Sequence, residues 1–152
     1  MLSRAAGFGQ KPPLKNPTYT RKMTEISREI LAELEAKIGL SLPDDVRAKY
    51  AVSNGFKGPT DCQLLYPAIG GAGDDIVRMN ELRQESWFPP RFVALVILGD
   101  DGCGNFIGFD WNSSEAILWN PGDGEWVQET KKSVTEIWDH VVHWYAELPK
   151  PE

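Results

Sequence analysis

At 152 residues the chain has the length of one domain with a buried core. Its 41% hydrophobic and 11% aromatic content excludes a disordered or fibrous protein, and no apolar run approaches the roughly 20 residues of a membrane-spanning helix. The net charge of −6 is unevenly spread: residues 1–23 hold five of the 16 bases and no acid, so the remainder carries all 22 acids against 11 bases, a net of −11. A body that acidic repels nucleic acid and anionic membranes and attracts basic partners.

Residues 1–22 read as a flexible basic tail. Gly7, Gly9, Pro12, Pro13 and Pro17 punctuate it, and it has neither helical nor strand periodicity. Met23-Thr24-Glu25-Ile26 resembles a natural protein start, so a single domain is expected over 23–152. No apolar h-region follows Arg4 as a signal peptide would require. The two cysteines, Cys62 and Cys103, are too few for a disulfide framework and have no CxxC spacing. A reducing, cytoplasmic setting is expected.

From Thr24, Ile26, Ile30, Leu34 and Ile38 recur every four residues, widened by Leu31, and Gly39 stands where a helix cap belongs. Leu42-Pro43 opens a second short helix with Asp44 and Asp45 in its first turn, Val46 and Tyr50 facing inward, and Gly55 beyond it. The acids at its start argue against a DNA-reading helix-turn-helix. Gln63 to Tyr66 is a short strand. Gly70-Gly71-Ala72-Gly73 lacks the pattern of a phosphate-binding loop and reads as a flexible connection. Asp74 to Gln84 reads as a helix with Ile76, Val77, Met79 and Leu82 on its apolar side.

The second half reads as a β-meander with strands over Phe92–Leu98, Asn105–Trp111, Ala116–Asn120 and Glu125–Glu129. The first turn, Gly99-Asp-Asp-Gly-Cys-Gly104, carries three glycines suited to positive φ. Asn112-Ser113-Ser114 and Pro121-Gly-Asp-Gly124 supply the other two. Ser133 and Glu136 form a capping box at the start of a last helix, whose Ile137, Val141, Tyr145 and Leu148 make one stripe. The fold class is α+β: an antiparallel β-meander of about four to six strands flanked by N-terminal and C-terminal helices.

No catalytic signature stands out. Asp100, Asp101 and Asp110 could gather around a hard cation, but Gly102 and Gly104 occupy positions where an EF-hand has ligands; hairpin turns are the expected role, and no metal or cofactor is expected. His140 and His143, three apart on the last helix, lack the further ligands or the HExxH pattern of a zinc site. Cys103 lies beside two aspartates, whose charge works against a reactive thiolate. Neither a serine nor a cysteine sits in a nucleophile elbow. An enzyme is disfavoured. The six tryptophans, Trp87, Trp111, Trp119, Trp126, Trp138 and Trp144, are many for this length, three of them lie in the meander, and tryptophan is enriched at binding hot spots. Either helices cover both faces of the sheet or one face is a binding surface.

The ordered set Ile38-Gly39, Leu42-Pro43, Tyr50, Asn54-Gly55, Leu65-Tyr66, Asn80 before Leu82, and Ile97 to Gly104 leading to Asp110 resembles the SUKH superfamily. That group includes a fungal cell-wall synthesis regulator and many bacterial immunity proteins. The likeness runs from about Thr24 to Tyr145; the chain departs from the pattern at Phe56, where a second glycine is usual, and at Asn105, where an aspartate is frequent. The resemblance implies a non-catalytic binding protein that neutralises a cognate toxin, in many cases a nuclease, by direct contact. A nuclease must be basic to hold phosphates, which suits an acidic inhibitor. Asp100, Asp101 and Asp110, with Trp111, Trp119 and Trp126, are the expected partner-binding residues of a monomer or weak dimer. A cytoplasmic regulatory or scaffold module is the alternative, and a small metal-dependent hydrolase using the three aspartates is a minor third reading.

Overall fold

A computed structural model describes residues 25–70, 74–122 and 126–152. The expectations for the 1–22 tail, for Met23 and for Gly71 to Gly73 lie outside them. Four α-helices, a two-stranded hairpin and a four-stranded antiparallel sheet make an α+β fold, with helices at both ends of the meander.

Helix α1 (Arg28–Ile38) starts where Ser27 Oγ accepts from the Ile30 N–H and ends at Gly39, whose φ of 81° is the left-handed cap the sequence suggests. Ile26 stays in front of the helix rather than in it: its buried side chain joins the core while its N–H donates to Tyr50 O. That bond ties α1 to the end of α2 (Asp44–Tyr50). Glu35 fastens the pair further, accepting from the Leu42 N–H and from Arg47 Nε, both at 2.7 Å.

The motif residues beyond α2 build the next connection. The buried Tyr50 hydroxyl donates to Tyr66 O at 2.6 Å. Asn54 accepts from the Ala68 N–H and donates to Ile69 O, closing the chain around a small hairpin of β1 (Phe56–Lys57) and β2 (Gln63–Leu65). Helix α3 (Ile76–Glu81) is capped by Asp75 and runs into a 3₁₀ turn over Leu82–Gln84. Its Asn80 is buried yet satisfied, accepting from the Ile97 N–H and donating to the carbonyls of Ile76 and Ile97.

The main sheet runs in the order β3 (Leu95–Asp100), β4 (Phe106–Asp110), β5 (Glu115–Asn120) and β6 (Trp126–Lys131). Its first strand begins three residues later than the sequence suggests. Pro89 and Pro90 set up a 3₁₀ turn over Pro90–Phe92, and Phe92 packs on Trp119 instead of joining the ladder. Gly99 also differs from expectation. It belongs to β3 and is not in the left-handed region; a Cβ there would stand 2.2 Å from Leu64 O. Glycine is required for space, because β2 crosses the strand at that point. Gly102 and Gly104 do take positive φ, 75° and 93°.

Both faces of the sheet are covered. Helix α4 (Val134–Glu147) packs on β4, β5 and β6, and its buried Trp138 donates from Nε1 to Leu64 O. On the other side Phe88, Phe92 and Phe106 surround Trp119. The Ser133–Glu136 capping box is present at the start of α4. Asp45 Oδ2 accepts from the N–H of Thr135 there, at 2.9 Å. Among the described residues no helix is long and apolar enough to cross a membrane.

Candidate binding site

The β3–β4 turn is built by its aspartates. Asp100 Oδ1 accepts from the Gly102 N–H, and Asp101 Oδ1 accepts from the N–H groups of Cys103 and Asn105. Asp101 Oδ2 takes a third bond from Asn105 Nδ2 at 2.6 Å. These short Asx-type bonds close a turn in which Gly102 and Gly104 supply the left-handed residues. Asp101 is therefore only 4% exposed, which removes it from the accessible acidic face expected of it. Asp100 lies beside the Tyr66 hydroxyl; burial first, and that carboxylate second, hold the phenol well above its ordinary range.

Asp110 does not join this pair. The register sets Asp100 opposite Phe106 and Asp110 opposite Leu95, so Asp110 stands four residues further along β4, about 13 Å away at strand rise. There it caps the next turn, accepting from the N–H groups of Asn112 and Ser113. The three aspartates do not converge, and among the described residues no group of His, Cys, Asp and Glu is placed to hold a metal.

The tryptophans divide as well. Trp119 is fully buried and belongs to the core, a correction to its expected place on a binding face. Trp111 is 41% exposed, set edge-on to Phe109 near Asp110. The side chain of Trp126 lies outside the description. Trp144, which the sequence reading did not select, is exposed on α4 and packs edge-on against Tyr145.

Tyr145 joins helix to turn. Its hydroxyl donates to Asp101 O and lies 3.3 Å from Cys103 Sγ. The bond with Cys103 first, then burial, pushes its pKa up to about 12. Beside this junction a half-open pocket of about 230 Å³ lies between the turn, the sheet and α4. Asp101, Cys103, Asn105, Leu118, Gln128, His140, Val141 and Trp144 line it. The pairing of β5 with β6 shifts at Leu118/Trp119, leaving Gln128 as the extra residue beside the pocket. His140 Nε2 lies 4.0 Å from Glu129, whose carboxyl is held below its ordinary range chiefly by Lys131. His143 is instead paired with Glu147 on the exposed side of the helix.

One atom in this region has no partner. Asn105 Oδ1 is buried and accepts no hydrogen bond, a deficit of roughly 1–3 kcal/mol. Asp101, though ionisable and buried, has only uncharged donors around it. The turn was visible in the sequence as a glycine-rich acidic hairpin. The pocket was not, because its other half comes from α4 and β6, and no local pattern links residues 101–105 to residues 128–144.

The SMI1 / KNR4 family (SUKH-1) matches this chain over residues 25–147. The chain belongs to that family. The SUKH-1 region takes in every helix and strand from α1 to α4, including both sides of the pocket. No curated protein is significantly similar to this SUKH-1 chain.

Proposed function

We propose that this SUKH-1 protein is a non-catalytic cytoplasmic binding protein, an immunity protein that neutralises a basic, nuclease-type toxin by direct contact. The observation that carries this reading is the family match over nearly the whole described body. The net charge of −11 on residues 24–152 agrees with it, because opposite charge accelerates encounter with a phosphate-binding enzyme. Asp100 and Asp110, at opposite ends of the β3–β4 hairpin, the exposed Trp111, and Trp126 at the start of β6 are the remaining members of the proposed contact surface.

The test is affinity purification of the tagged protein from its native cell at low and high salt, with mass spectrometry of what is retained. A basic toxin domain retained in stoichiometric amount, and more weakly at high salt, is the expected result. Retention of envelope-synthesis or signalling proteins independent of salt would replace this reading with the regulatory one.

A further inference from the structure

The pocket between the β3–β4 turn and α4 has a size and a polarity that specify a guest. About 230 Å³ suits one long side chain, below the roughly 300 Å³ at which small-molecule sites begin. Leu118, Val141 and Trp144 give it apolar walls, while Asp101, Asn105, Gln128 and His140 give it polar ones, and no lysine or arginine lines it. The Asn105 amide is oriented by its donation to Asp101, which leaves Oδ1 as a buried acceptor without a donor. Asp101, 4% exposed, has no cation in ion-pair range among the described residues. A buried carboxylate so placed gains from any positive charge brought beside it. Trp144, 41% exposed, lines the same pocket, and an indole ring is the aromatic partner that best attracts a cation.

We propose that this pocket receives one arginine side chain from the basic protein partner. The planar guanidinium donates to Asn105 Oδ1 and stacks on Trp144 within the field of Asp101. Arginine fits better than lysine because it combines stacking with forked donation. Oδ1 is closed to solvent in the free protein, so seating the guest includes a small movement of the pocket lining. The binding reading above supplies the source of the arginine; the chemistry of the pocket stands without it.

The test uses the whole, isotopically labelled protein and two probes, N-acetylarginine methylamide and its neutral isostere N-acetylcitrulline methylamide. The arginine compound is expected to shift the Asn105 side-chain amide and Trp144 indole N–H resonances saturably, at the millimolar level proper to one side chain, and the citrulline compound about tenfold more weakly. Absent or unsaturable shifts at these two groups, or equal response to citrulline, overturn the proposal. Trp144→Leu, whose unchanged backbone spectrum verifies folding, is expected to weaken the arginine probe about threefold; unchanged affinity overturns the stacking role. No toxin takes part, so failure here leaves the immunity reading standing. Failure to capture a basic partner overturns that reading and leaves the arginine selectivity intact.

Discussion

Asp101 holds three N–H groups in place with one carboxylate, and two of its donors belong to Asn105. Asp101→Ala strands those donors in a nearly closed turn and is expected to lower stability by about 2–4 kcal/mol. Asp101→Asn, which keeps the shape and one acceptor, is expected to lose about half as much. Chemical denaturation of both variants checks the pair; equal, small losses would make the carboxylate dispensable. The glycines separate in the same manner. Gly99→Ala drives a methyl group into the Leu64 carbonyl and is expected to cost at least about 2 kcal/mol. Gly104→Ala meets no atom within 4 Å and is expected to cost only about 1 kcal/mol, from its positive φ. A larger loss at Gly104 than at Gly99 would contradict the crossing of β2 over β3. Sequence reading grouped all three glycines as turn residues, since the backbone that fills the space beside Gly99 is contributed by a strand 35 residues earlier.

Among the elements, α4 does most to unite the fold. It covers one face of the sheet, donates from Trp138 to β2 and binds the β3–β4 turn through Tyr145. Its start and its apolar stripe were legible because a capping box and a 3.6-residue period are local signals. The strands of the meander were legible to within a few residues for the same reason. The β1–β2 hairpin was only half legible: two residues of β1 carry no periodicity, and the pairing shifts at Ile97/Gly99 and Leu118/Trp119 are set by what packs around them. Three phenols at these junctions have raised pKa values, Tyr50 and Tyr66 chiefly through burial and Tyr145 chiefly through Cys103. The folded state therefore favours their neutral forms. Their contribution is complete below the ordinary value of 10.0 and is lost as pH rises from there through about 12 for Tyr145. Thermal midpoints are expected to show no loss from these groups up to about pH 9.5 and to fall above pH 10, with tyrosinate absorbance appearing in step with unfolding. Tyrosinate absorbance rising from all four tyrosines at about pH 10 while the protein stayed folded would contradict the buried placement.

On the scale of the whole molecule, the acidic body sets how fast a basic partner arrives and the local surface sets how long it stays. Association with the captured toxin is expected to slow by about tenfold or more between roughly 10 mM and 150 mM salt, measured by stopped-flow mixing. Asp110→Lys is expected to weaken affinity and Asp101→Asn to leave the association rate nearly unchanged, because only the former carboxylate lies on accessible surface. An unchanged affinity for Asp110→Lys would place the contact elsewhere. The sequence announced the charge and the family motifs but not which acids face outward, since burial is a property of the assembled turn.

Asp45 accepts from the first turn of α4 across 90 positions of chain, so the last helix to be synthesised receives a capping acceptor from the second. A nascent chain that has exposed α1, α2 and the meander still lacks that contact, the Trp138 anchor and one whole cover of the sheet. Folding on the ribosome is thus expected to be late and abrupt, with protease resistance arising only once α4 clears the exit tunnel.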